Sequence, residues 1–106
     1  GEKIDGHAFI GQAASKGAVA ACVSKTYQGN AHGLPLWYVD DVLQALQQLA
    51  RSYLATCQGK VIAITGSVGK TTTKEFIATL LSAKFKVGAT PNSYNSQLGL
   101  PLTVLN

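Results

Sequence analysis

In the first part of the chain, hydrophobic residues first recur at helical spacing and then form a short run that is typical of a strand. Residues 7–16 place their apolar side chains on one face at helical spacing, and Gly17 follows as the expected C-terminal cap. Residues 18–23 form a continuous apolar run, which is typical of a strand that is buried on both faces. The pattern therefore predicts a short helix followed by a buried strand.

A second strand and a longer helix follow after a turn-rich stretch. Residues 36–39 predict a short strand, and residues 42–53 repeat apolar side chains at helical spacing. Asp40 or Asp41 is the expected N-cap of this helix, because a carboxylate there can accept a hydrogen bond from a free backbone N–H group. The polar, glycine-containing residues 58–60 end the helix and mark the predicted domain boundary.

The second half of the chain predicts a further strand and two further helices. The apolar run at residues 61–65 predicts a buried strand, and residues 70–83 predict a helix with one buried apolar face. Residues 85–88 alternate like an edge strand, residues 90–96 form a polar loop, and residues 97–105 predict a final helix.

Strands that alternate with helices predict an α/β fold with parallel strands. We expect residues 1–58 to be the end of one small α/β domain, and residues 59–106 to be the truncated start of a domain built on a parallel sheet. The chain contains no methionine, and no Asp or Glu follows Glu75 to serve as the acidic magnesium ligand that phosphate-binding enzymes use. We therefore expect it to be a fragment of a larger protein.

The composition of the chain argues against several kinds of binding partner and cellular location. The net charge is +4, but the nine basic residues are scattered and form no stripe with interleaved aromatic side chains, so no nucleic acid is expected. The apolar runs are too short to span a bilayer, and no signal-peptide pattern opens the chain. Cys22 and Cys57 lack metal-ligand spacing, and Cys22 is expected to be a buried, reduced thiol. These features predict a cytoplasmic protein.

The most informative feature is a glycine-flanked turn that joins the third predicted strand to the next helix. Gly66 and Gly69 permit a tight bend and a close approach of the backbone to a phosphate. The free N–H groups and the dipole at the start of the helix favour an anion there. Lys70 can neutralise the terminal phosphates and the Thr71 hydroxyl can ligate Mg²⁺, so the turn predicts a site for a nucleoside triphosphate.

This turn departs from the general P-loop pattern, which requires a glycine where this chain has Ile64. Two alternatives remain open on the residues alone. One is an ordinary glycine turn that a Lys-Thr pair follows by chance. The other is a different P-loop enzyme, a phosphotransferase or NTPase, although that class predicts a longer loop and a nearby Asp.

The turn at residues 65–72 resembles the ATP loop of the Mur ligases, the ATP-dependent amide-bond-forming enzymes of bacterial peptidoglycan synthesis. Within that family, residues 73–75 and 95–103 are similar to the member that adds D-alanyl-D-alanine. Residues 5–9 and 16–20 resemble the end of the same member's N-terminal domain. The resemblance thus covers nearly the whole chain, in separate stretches that follow in the right order.

The resemblance implies that residues 1–58 are the C-terminal part of a UDP-sugar-binding domain. It implies that residues 59–106 begin the central P-loop ATP-binding domain, with Lys70 as a catalytic charge and Thr71 on Mg²⁺. The residues that it assigns to the ATP phosphates are Gly66, Ser67, Val68, Gly69, Lys70, Thr71 and Thr72.

The implied reaction adds D-Ala-D-Ala to UDP-N-acetylmuramoyl-tripeptide through an acyl-phosphate, with ATP and Mg²⁺ as cofactors and a monomeric enzyme. Asn95 and Ser96 are expected to line the substrate cleft, whereas His7 is expected to be a solvated or helix-capping residue. The chain alone is expected to be inactive. A ligase of the family that adds a diamino acid, and a fragment that only binds nucleotide, remain as alternatives.

Overall fold

The computed structural model describes residues 5–91 and 96–106, which form helices and one small parallel sheet. The elements in chain order are a 3₁₀ helix Gly6–Phe9, α1 Ile10–Ser15, β1 Ala21–Ser24, β2 Leu36–Val39, α2 Val42–Thr56, α3 Lys70–Ser82 and α4 Gly99–Leu105. This combination of helices with parallel strands confirms the predicted α/β class. The finer assignment to a P-loop sheet domain stays a prediction.

The two strands pair in parallel register, with Ala21 opposite Leu36 and Ser24 opposite Val39. The predicted first strand therefore begins three residues late, because β2 offers pairing positions for only four residues. Val23 has no exposed surface, as a core strand residue should.

The expectation that the first strand is buried on both faces is wrong. Cys22, which alternates with Val23, is an exposed free cysteine. Alternate residues of a strand point to opposite faces, and only the face that carries Val23 is covered in the described residues.

Helix α2 follows β2 as predicted, and the structure shows which of Asp40 and Asp41 is its N-cap. Asp41 is the N-cap of α2, because its Oδ1 accepts a hydrogen bond from the Gln44 N–H group at 3.0 Å. Asp40 instead forms an ion pair with Lys25, at 2.6 Å from Nζ to Oδ1. The chain separates into two compact units, residues 1–45 and 46–106, and the predicted boundary near residues 58–59 stays a prediction.

The predicted strand at residues 61–65 is wrong. Residues 57–69, all of them described, contain neither helix nor strand, and Val61 is 68% exposed. A strand needs a neighbour to accept and donate its backbone hydrogen bonds, and no described segment pairs with this one. The predicted edge strand at residues 85–88 is absent for the same reason.

The two later helices confirm their predictions, since α3 and α4 lie where the helical spacing placed them. The buried face expected for α3 is not covered, because Phe76 and Leu80 are both exposed and no residue of the helix is buried. A helix completes its hydrogen bonds internally, so it forms without the packing partner that a strand requires. Among the described helices, none is both long enough and apolar enough to cross a membrane.

Candidate functional site

The glycine turn lies directly before α3, in the position that the sequence predicted. Gly69 is the N-cap of α3 with a φ of +80°, and Gly66 has a φ of +144°. These are values that residues with a Cβ atom rarely adopt, so both glycines are required by the backbone. The turn is therefore shaped by its glycines in the way that the sequence argument proposed.

The start of α3 presents a set of backbone donors. The hydrogen bond from the Thr73 N–H group to the Gly69 carbonyl, at 2.9 Å, closes the first turn. N–H groups before Thr73 have no partner within the helix, and no side chain caps this end in the described part of the chain. These N–H groups and the positive end of the helix dipole can bind an anion.

Lys70 brings a positive charge to the same turn. Its Nζ donates hydrogen bonds to the carbonyl oxygens of Gly66 and of Ser67, the latter at 3.4 Å. The ammonium group therefore folds back over the turn instead of extending into solvent. A phosphate bound at the start of α3 would meet this charge beside the backbone donors.

The other residues assigned to the phosphates are open to solvent. Ser67, Val68, Thr71 and Thr72 are all exposed, so a ligand can reach the turn from outside. Val68 is 91% exposed, which agrees with a contribution through its backbone N–H group alone. Thr71 provides one hard oxygen donor, and Mg²⁺ in nucleotide sites takes its remaining ligands mainly from phosphate and water. The residues of the turn thus fit the implied MgATP.

The two predicted substrate residues lie near the end of the chain. Asn95 lies outside the described residues. Ser96 is exposed, and its Oγ accepts a hydrogen bond from the Gly99 N–H group at 2.9 Å, which caps the start of α4. A groove of about 350 Å³ adjoins it, lined by Gln47, Ser96, Gln97, Leu100 and Pro101. A substrate role for Ser96 stays a prediction.

One contact beside the turn was missed by sequence reasoning. Lys74 Nζ donates a hydrogen bond to the Thr90 carbonyl oxygen at 2.6 Å, in a half-buried position. Lys74 lies one helical turn after Lys70, so the two lysines share a face of α3. The spacing of four residues predicts that Lys74 shares a face with Lys70, but it does not indicate the contact with Thr90.

His7 is neither solvated nor a cap, which corrects that expectation. Its Nδ1–H donates to Asp5 Oδ1 at 2.6 Å, and its Nε2 accepts from the Ser24 N–H group at 3.1 Å. Its ring stacks on Tyr27, with 4.7 Å between centroids. Asp5 is the residue that caps the 3₁₀ helix, by accepting from the His7 N–H group. His7 therefore connects the 3₁₀ helix to the end of β1.

Hydrogen bonds from His7 also lower the pKa of the Asp5 carboxyl. The His7 backbone N–H group, and then its side chain, hold the pKa of the Asp5 carboxyl below its ordinary value, because both stabilise the ionised form. The carboxylate at this position is therefore the form that supports the local structure.

Comparison with known proteins first identifies a protein family that the chain resembles. Residues 64–106 match the Mur ligase middle domain. This match begins just before the glycine turn and continues through α3 and α4. The predicted resemblance to the Mur ligase family is confirmed.

Three individual relatives of the chain carry the name of one ligase. The chain is 43% identical over 105 residues to the UDP-N-acetylmuramoyl-tripeptide–D-alanyl-D-alanine ligase of Bacillus subtilis (strain 168). It is 41% identical to the ligase of the same name from Synechocystis sp. and 36% identical to that from Escherichia coli (strain K12). Each comparison covers 99% of this chain and 23% of the relative, so the chain spans less than a quarter of the length of these curated relatives.

Proposed function

We propose that this chain is part of an ATP-dependent ligase that adds D-alanyl-D-alanine to UDP-N-acetylmuramoyl-tripeptide. The observation that carries the proposal is the similarity over 99% of the chain to relatives that bear this name. The geometry of the glycine turn supports it independently, because the turn offers backbone donors, a lysine and a hydroxyl at the start of one helix.

The residues of the turn have distinct roles in this proposal. The backbone between Gly66 and Gly69 would bind the phosphates of ATP, and the positive φ values of the two glycines make this backbone path possible. Lys70, which now donates to two carbonyl oxygens, would bind phosphate oxygens instead and neutralise charge that develops during transfer. Thr71 would provide a hydroxyl ligand to Mg²⁺. Bound MgATP supplies the phosphoryl group that activates the peptide carboxylate for attack by the amine.

The rest of the chain has a supporting role in the same proposal. Residues 1–58 are the end of the UDP-sugar-binding domain, and residues 59–106 are the beginning of the ATP-binding domain. Asn95 and Ser96 are the residues that we assign to the acceptor substrate. The complete enzyme is a cytoplasmic monomer, and the chain by itself does not catalyse the reaction.

Lys70→Ala in the full-length ligase tests the role of the turn, with Lys84→Ala as the matched control. Lys84 lies just beyond α3, where its Nζ is 5.9 Å from the centroid of the Phe85 ring, and it has no role in the proposed site. We expect Lys70→Ala to lower turnover about 100- to 1,000-fold, because it removes a preorganised positive charge. Lys84→Ala should stay within about twofold of the unmodified enzyme.

The assay measures phosphate release and the mass of the product formed from MgATP with defined acceptors and amines. The proposal expects product from UDP-linked tripeptide and D-Ala-D-Ala. Turnover only with a UDP-linked dipeptide and a diamino acid would reassign the enzyme to another ligase of the family and leave the ATP site as argued. Equal turnover by Lys70→Ala and the unmodified enzyme would contradict the ATP site itself.

A further inference from the structure

The side chain of Lys74 connects α3 to a loop that lies sixteen residues farther along the chain. Its ammonium group donates to the Thr90 carbonyl oxygen at 2.6 Å, and both residues are half-buried. A hydrogen bond from a charged donor at this distance is stronger than one between neutral groups. The bond is made to the main chain, so it positions the backbone of the loop whatever side chain residue 90 carries.

Lys74 is also fixed relative to the glycine turn. It lies four residues after Lys70 on a helix of 13 residues, so the two side chains leave the same face of α3 on successive turns. A rigid helix holds the separation between these two lysines constant. The main chain at Thr90 is therefore tied to the element that begins at the candidate phosphate site.

Two other contacts hold the chain at residues 96 and 97. Ser96 Oγ accepts from the Gly99 N–H group at 2.9 Å, and Gln47 Nε2 donates to the Gln97 carbonyl at 3.3 Å. Thr90 and Ser96 are therefore each held by a described contact.

We propose that Lys74 is a positioning residue that holds the main chain at Thr90 to the helix that begins at the ATP turn. This inference rests on the proposed function, in which the acceptor-side residues Asn95 and Ser96 follow Thr90 in the sequence. Lys74 acts through the Thr90 main chain and makes no contact with the nucleotide in this role. Its removal should disturb the acceptor and leave MgATP binding intact.

The test compares Lys74→Met, Lys74→Arg and Lys84→Met in the full-length ligase. Methionine keeps the unbranched hydrocarbon stem but removes the donor, whereas arginine keeps a charged donor that can reach the carbonyl. We expect Lys74→Met to raise the KM for the UDP-linked acceptor, or to lower kcat, by about 10- to 100-fold through misplacement of the reacting groups. The Kd for MgATP should change by less than about twofold, and Lys74→Arg should recover most of the loss.

Amide hydrogen exchange provides a readout that does not depend on the reaction. Residues 88–98 should exchange faster in Lys74→Met than in the unmodified enzyme, with no such change in Lys84→Met. Unchanged exchange in this segment would overturn the proposal, as would unaltered kinetics or a parallel loss of MgATP affinity. If the unmodified enzyme makes no D-Ala-D-Ala product, the proposed function fails, while the exchange experiment still decides whether Lys74 holds the loop.

Discussion

Residues 5–45 and residues 57–91 differ in whether they bury any apolar side chain. In the first region β1 and β2 pair, and Val23 and Ile10 are buried. In the second region the apolar run before the turn and the apolar face of α3 both lie largely in solvent. The two regions have similar hydrophobic patterns, so the pattern alone does not determine whether a surface is covered.

The two regions differ in whether the described chain contains partners for their backbone hydrogen bonds and for their apolar side chains. The strand that contains Val23 has its partner fifteen residues away, within the described chain. The run at residues 61–65 has no partner strand among the described residues, and α3 has no covering element there. The glycine turn nevertheless keeps its shape, because it depends on local backbone conformation. A local site can therefore be specified where the surrounding core is not.

The comparison predicts unequal costs for the same substitution in the two regions. In the 106-residue chain, Val23→Ala should lower the free energy of unfolding by about 2 kcal/mol, since it removes two buried methyl groups and leaves a cavity. Val61→Ala should cost less than about 0.5 kcal/mol, because that side chain is mostly exposed. Urea denaturation of both variants measures the difference, and equal costs would break the comparison.

A smaller effect concerns the polar contacts of the first region. The pKa of Asp5 is lowered from its ordinary value of 3.8 by hydrogen bonds from His7, so the ionised carboxylate stabilises the folded state. This contribution should be fully present above pH 3.8 and should be lost as the pH falls through the lower folded pKa. It should be small, because the carboxylate is exposed and water screens its interactions.

Urea midpoints of the unmodified chain and of Asp5→Asn, measured from about pH 7 down to about pH 2.5, test this expectation. The unmodified chain should be the more stable of the two near neutral pH, and the gap should narrow in acid. A gap of constant size over the whole range would show that the carboxylate charge has no part in it.

Much of the local structure could be predicted from the sequence. The bounds of α3, the glycine turn and β2 follow from spacing and glycine placement, which act over a few residues. The missing strand at residues 61–65 could not be foreseen, because its formation depends on a distant partner. The run of apolar residues contains no information about whether that partner is present.

Hydrogen bonds between residues far apart in the sequence could not be predicted from the sequence either. The bond from Lys74 to Thr90 and the bond from Ser24 to His7 join residues 16 and 17 positions apart. Neither pair belongs to a helical or strand period, so no pattern indicates them. The predicted substrate role of Ser96 likewise stays open, since the described contact of its hydroxyl is a local cap on α4.

The central claim is that the backbone of the glycine turn binds MgATP, and two glycines allow a matched test. A Cβ atom added at Gly69 or at Gly59 would meet no neighbouring atom within 4 Å, but only Gly69 has a positive φ, of +80°. Alanine at Gly69 therefore introduces backbone strain of about 1–2 kcal/mol without any steric clash.

Titration calorimetry of MgATP with the full-length ligase and its Gly69→Ala and Gly59→Ala variants tests the claim most directly. The account predicts that Gly69→Ala weakens MgATP binding about tenfold or more, while Gly59→Ala binds like the unmodified enzyme. Unchanged MgATP affinity in Gly69→Ala would contradict the assignment of the phosphates to this turn.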